Sequence, residues 1–516
     1  MSKYNDLLDK LIEYTNKDYL PMHMPGTKRN DSIYDEEAKA LSRLDITEIE
    51  GFDNLHDASG VILDIQERAQ RLYKTDLSLL LVNGSTAGIL AAISGVCHKG
   101  DRILVARNCH VSVYNALYLN ELRTEYISPQ IDENTGMFLG ISLDEIKAKV
   151  EKESLKEDRI KADKDISVED VSKTDKDSFK AVVITSPTYE GRVSQIREIA
   201  NYLHEKGIVL IVDEAHGAHF NFHKEFPESA ISQGADVVIN SIHKTLPAPT
   251  QTALLHLNSD LINYDRVKRY WNIYQSTSPS YLLMAGIARA LSFVEIDGEC
   301  AYKEYVENLK QLIKEIAQLK NIELAKVDDM SKIVLKSSKE GARAVENFGK
   351  WIFDRLLEDY HIQLEMASFD YAIAMTAVGD NKSFYNRFIG ALRELDSELE
   401  RLKNVAQDKK ESTFSKEKKE LFRHLAGYEK LMEAHEAINE ADLKGYDLVS
   451  LNDLSLINRI SVNAVLLYPP GMPVINSGEL ITEDKIKIIK KALELDIEVI
   501  GLNDDLIKVL KQKKNS

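Results

Sequence analysis

Cysteine is scarce in this chain: three residues in 516, Cys97, Cys109 and Cys300, lie far apart. That spacing excludes a disulfide framework and a cysteine-based zinc site. No apolar run approaches the roughly 18 residues that a membrane-crossing helix needs. The N-terminal stretch MSKYNDLLDKLIEYTNKDY reads as an amphipathic helix rather than a signal peptide. Basic charge also falls short, with 66 Lys and Arg against 83 Asp and Glu and a formal net charge of -17. Nucleic acid and anionic membranes are therefore poor partners, whereas a cationic substrate is weakly favoured. What is present is ordinary for a globular enzyme, 44% hydrophobic and 29% charged residues. The length implies about two to four domains, and a cytoplasmic location is expected.

From about residue 78 to 257 one kind of unit recurs. An apolar strand ends in a polar loop bearing Gly, Ser or Thr, and a helical pattern often follows. LLLV leads to NGSTAGI, RILV to ARNCHVSVYNAL, AVVI to TSPTYEG, IVLIV to DEAHGAH, and DVVIN to SIHK. Continuous apolar strands alternating with helices predict a mostly parallel sheet covered on both faces. Ligands of such sheets bind beyond the carboxyl ends of the strands, where each of these clusters falls. The boundaries expected are an N-terminal segment 1–60, a large α/β domain 61–320 and a smaller α+β domain 321–516. Residues 151–178 read as a charged surface insertion, residues 385–440 as long, charged and helical, and NVAQDKKESTFSKEKKE within them as solvated and mobile.

The clusters differ in chemistry. Lys244, between Ser241, His243 and Thr245 after an apolar strand, is placed to act as an amine nucleophile toward a carbonyl; the alternative is a surface lysine. Pro247 and Pro249 argue against a helix directly after it. Gly84, Ser85 and Thr86 open a helical pattern, where free amides, hydroxyls and the helix dipole suit a phosphate or form a plain N-cap. Asp213 ends the most apolar strand and can partner a protonated ring nitrogen. With His216 and His219 it could instead bind a metal, although zinc normally takes more ligands than this run supplies, and no metal is expected. His110, in NCHVS, is a further loop imidazole.

A phosphate cup, an acid for a ring nitrogen, an imidazole and a lysine are the set that holds pyridoxal 5'-phosphate. The stretch NSIHKTLPAPTQTA resembles the cofactor-attachment segment of the Orn/Lys/Arg decarboxylase family, with Ser241, His243, Lys244, Gln251, Thr252 and Ala253 in register. PMHMPGTKRN, DITEIEGFDNL, LVNGSTAGI, RNCHVSVYNAL, SPTYEG, DEAHGAH, QSTSPSYLLMA and YPPGMPVINSGE are similar to family blocks, in family order. The resemblance implies an aspartate-aminotransferase-like (fold type I) large domain. It makes Lys244 the lysine bonded to the cofactor, Asp213 the partner of its pyridine nitrogen and His110 a ring-stacking residue. Gly84, Ser85, Thr86, Ser241 and His243 would hold the phosphate, with His216 beside the cofactor. Ser276 and Thr277 would reach the phosphate of a second subunit, in a homodimer or larger assembly with shared sites.

The activity implied is decarboxylation of arginine, lysine or ornithine to a polyamine-type amine and carbon dioxide. An aminotransferase or other lyase on the same scaffold would instead be read from consumption of a keto acid, and a non-catalytic relative is the third reading. Glu479 is the expected partner of a cationic substrate side chain. Departures from the family pattern fall at Thr27, where histidine is usual, at Val111, where lysine is common, and at Ser477, where proline is usual. The chain resembles the shorter family form without an N-terminal wing domain.

Overall fold

A computed structural model describes residues 3–17, 25, 43–132, 135–151, 178–345, 347–368, 370–405, 427–468, 472–494 and 497–512. Thr27, nearly all of the 151–178 insertion and residues 406–425 of the second charged stretch lie outside these. The chain forms two compact units, each assembled from separated stretches of sequence. One comprises Met1–Val96, Ile196–Asn308 and Thr376–Asn381; the other comprises Cys97–Gln195, Leu309–Met375 and Lys382–Ser516.

The strands of the large α/β fold are β1 (Leu77–Leu81), β2 (Arg102–Ala106), β3 (Arg123–Ile127), β4 (Phe179–Thr185), β5 (Val209–Asp213), β6 (Val237–Ser241) and β7 (Ala253–Leu257). In the first unit they run in the order β1-β7-β6-β5. β5 and β6 are parallel, with Asp213 opposite Ile239, while β7 is antiparallel to both β1 and β6. In the second unit β2 is parallel to β3 and to β4. β5, β6 and β7 are buried at every residue, which is why they read as unbroken apolar runs rather than alternating ones.

The helix Gly84–Val96 packs against the strands of its unit through a close approach at Gly88, where an added Cβ would lie 2.6 Å from Leu81 Cδ1 and 3.2 Å from Ile239 Cγ2. Trp271, on the helix Tyr264–Tyr274, donates its indole N–H to the Leu80 carbonyl at 2.9 Å. The N-terminal amphipathic pattern becomes the helix Leu7–Thr15, capped by Asp6 and burying Leu7 and Leu11.

Beyond the large sheet, the second unit contains an antiparallel sheet built on Lys332–Ser337 and Tyr371–Met375. It also holds a two-stranded ribbon of Tyr446–Ser450 with Leu506–Leu510, and a three-stranded sheet centred on Val465–Tyr468. Leu456, Val465, Ile475, Ile481, Ile489 and Ile507 share one apolar cluster there. None of the helices among the described residues is long and apolar enough to cross a membrane.

Candidate active site

Lys244 does not follow β6 on an open loop. Residues Ile242–Thr245 form one turn of helix, which ends at the extended Leu246 (φ -114°, ψ 159°). No helix continues past Thr245, as the prolines lead one to expect: Pro247 restricts the residue before it to extended backbone, so the turn that carries Lys244 stops there. The turn is tied back to β7, since the Ile242 amide (3.1 Å) and His243 Nδ1 (2.8 Å) both meet the Thr252 carbonyl. Lys244, half-buried, places Nζ 3.0 Å from His216 Nε2. His216 is itself buried in the loop that follows β5.

Two hydroxyls meet in the same unit. Ser85, in the first turn of the helix Gly84–Val96, lies with Oγ 2.6 Å from Ser241 Oγ at the end of β6. Gly84 takes a left-handed conformation (φ +73°), and its N–H donates to the Gln251 carbonyl at 3.0 Å. Gln251 also has positive φ, at +82°, strain of the kind that clusters at functional sites. Thr86 is exposed on the same turn. Just before it, Gln275 Oε1 accepts from the Val82 amide at 3.2 Å, while its Nε2 is a buried donor with no partner.

This donor set fits a phosphorylated cofactor: a helix N-terminus, paired hydroxyls, an orphaned amide donor and an amine. His243 fits less simply. Donation of Nδ1–H to Thr252 leaves Nε2 of a neutral ring as an acceptor, and burial lowers the imidazole pKa further. His243 therefore donates to an anion only if the anion's charge restores its second proton.

Asp213 is buried at the end of β5, with Oδ1 accepting from the Ala215 amide at 3.2 Å. No group of three or more His, Cys, Asp or Glu side chains able to hold a metal occurs among the described residues. Glu214, which the sequence reading passed over, is fully buried next to Asp213. Its carboxylate accepts from the Ala230 amide (2.6 Å), Ser229 Oγ (2.9 Å) and Asn240 Nδ2 (3.1 Å), and burial pushes its pKa up to about 7. The signal for it was a pair of polar residues, Glu214 and Asn240, at the ends of adjacent apolar strands, since buried polar groups need partners.

His110, Val111 and Glu479 belong to the second unit. His110 caps the helix Val111–Leu119, with Nδ1 2.8 Å from Ser112 Oγ and 3.2 Å from the Ser112 amide; Val111 is exposed. Glu479 is wholly buried and does not stand open to a substrate. Arg107 grips both of its oxygens, at 2.5 and 2.8 Å, and Lys485 Nζ lies 2.8 Å from Oε2. Arg107 was also missed; it is buried directly after β2, and a buried cation needs an anion beside it. Ser276 and Thr277 are exposed, and the Ser276 carbonyl is bonded to His56 Nε2 at 2.7 Å.

A lysine and a helix-opening turn with paired hydroxyls at the carboxyl ends of a mostly parallel sheet, with a smaller C-terminal α+β domain, define a fold type I enzyme. The chain belongs to the Orn/Lys/Arg decarboxylase family: residues 6–406 match the "Orn/Lys/Arg decarboxylase, major domain" and residues 415–512 the "Orn/Lys/Arg decarboxylase, C-terminal domain". It is thereby an amino-acid decarboxylase by class. Similar proteins include YaaO of Bacillus subtilis (strain 168), named as uncharacterized, which is 31% identical over 96% of this chain and 95% of its own. An arginine decarboxylase of the same organism is 26% identical over 98% and 97%. The lysine decarboxylase LdcF of Francisella novicida shares the fold, with a TM-score of 0.78 and 21% identity over 98% of this chain and 81% of that one.

Proposed function

We propose that this chain decarboxylates a basic amino acid, arginine first, with pyridoxal 5'-phosphate as its cofactor, and releases the corresponding amine and carbon dioxide. The observation that carries this reading is Lys244 Nζ set 3.0 Å from His216 in the unit that also joins Ser85 to Ser241. The arginine preference is supported by the end-to-end match to a chain named arginine decarboxylase.

When bound, the cofactor supplies an electron sink for the pair left as the carboxylate departs. Lys244 supplies the amine that attaches it, and His216 Nε2 orients that amine and exchanges its proton. The charge of Asp213 favours a proton on the ring nitrogen, which deepens the sink. Ser85, Thr86, Ser241 and the amides that begin at Gly84 hold the phosphate. The stacking role of His110, and that of Ser276 and Thr277 toward a second subunit, rest on family resemblance.

The test is incubation of the pure protein and cofactor with arginine, lysine and ornithine separately, with products identified by mass spectrometry. Loss of carbon dioxide from arginine is expected. Turnover that requires a keto acid, or none with any of the three, contradicts the proposal.

A further inference from the structure

We propose that Glu214 is a positioning residue, which locks the end of β5, carrying Asp213, to the end of β6, carrying Ser241 and Lys244. The inference rests on the reading of the site given above. Asn240 Nδ2 reaches from β6 to both ends of Glu214, its carbonyl at 2.8 Å and Oε2 at 3.1 Å. The other carboxylate oxygen takes the Ala230 amide at 2.6 Å, and Ser229 Oγ closes the set at 2.9 Å. The Glu214 carbonyl also accepts from the Gly217 amide at 2.9 Å, so the same residue shapes the turn that presents His216.

Each bond falls within one residue of a group assigned to the cofactor: Glu214 follows Asp213, Asn240 precedes Ser241, and His216 precedes Gly217. Parallel neighbouring strands share only their ladder, and that ladder ends at the Asp213–Ile239 pair. Beyond it, these side-chain bonds set the separation between the acid that faces the ring nitrogen and the lysine. Glu214 touches none of the reacting atoms and acts through Asp213, His216 and Asn240.

The experiment uses full-length protein loaded with pyridoxal 5'-phosphate. It measures the cofactor dissociation constant and the visible circular dichroism of the bound cofactor for Glu214→Ala, Glu214→Gln, Asn240→Ala and the double alanine variant. Glu214→Ala and Asn240→Ala are each expected to weaken cofactor binding about tenfold and to alter the dichroism. The double variant should be scarcely worse than either, since residues in one hydrogen-bond network are not additive. Glu214→Gln, which keeps one acceptor oxygen but turns an NH2 group toward either the Ala230 amide or Asn240 Nδ2, should fall between wild type and Glu214→Ala.

Retention of wild-type affinity and dichroism by Glu214→Ala would overturn the proposal, as would fully additive effects. If Glu214→Ala does not fold, Asn240→Ala, which cuts the same link from β6, decides alone by the same readouts. Borohydride reduction of the wild-type protein separates the two readings: absence of an adduct on Lys244 refutes the site assignment, whereas an adduct with unaffected variants refutes only the role of Glu214.

Discussion

At Glu479 one carboxylate faces Arg107 and Lys485 in a site closed to solvent. The two cations hold its pKa below the ordinary value despite burial. Breaking a buried pair by removing one partner typically costs about 3–5 kcal/mol, because the remaining charge is left uncompensated. Glu479→Gln is therefore expected to lose stability of that order in urea denaturation. The sign with pH follows from the depressed pKa. The unfolded carboxyl titrates at its ordinary value of 4.5, so the contribution is complete above that and fades as pH falls through the lower folded value. Glu479→Gln should accordingly show a shallower loss of stability below pH 4.5 than wild type. Asp213→Asn should leave stability nearly unchanged and cut turnover about 100-fold or more, since an amide cannot hold the ring-nitrogen proton as a carboxylate does; wild-type turnover would remove Asp213 from that role.

The helix Gly84–Val96 carries the proposed phosphate-binding turn, and its far end is set by a close approach at Gly95. A Cβ there would fall 2.7 Å from Val267 Cα and 2.6 Å from Val267 Cγ2. The clash is with backbone, which no rotamer change relieves. Gly95→Ala should lose about 1–3 kcal/mol and loosen cofactor binding by shifting Ser85 from Ser241, read by thermal unfolding and by cofactor titration. The strands that bring these residues together were legible as apolar runs: β1, β2, β4, β5 and β6 lie where LLLV, RILV, AVVI, IVLIV and DVVIN stand. The antiparallel placement of β7 was not, because a buried run such as ALLHL carries no mark of its direction. The pairs Ser85–Ser241 and Glu214–Asn240 were also out of reach, since they join positions 156 and 26 residues apart. Glu479 was misread because its motif shows a carboxylate but not the two cations that fold onto it.

For the whole molecule, the assignments reach beyond one chain. Ser276 and Thr277 are exposed on a turn held through His56, and their expected role is toward the cofactor phosphate of a second copy. Analytical ultracentrifugation of the active protein should then give a dimer or larger assembly, and a fully active monomer would contradict the shared site. Both matched family regions together run from residue 6 to 512, so the decarboxylase class is a property of the chain as a whole, while the cofactor chemistry is argued from one lysine. The most direct test is to load the protein with pyridoxal 5'-phosphate, reduce it with borohydride, digest it and map the modified peptide by mass spectrometry. The account predicts that the cofactor mass lies on Lys244. An adduct on a different lysine, or no adduct at all, would contradict it.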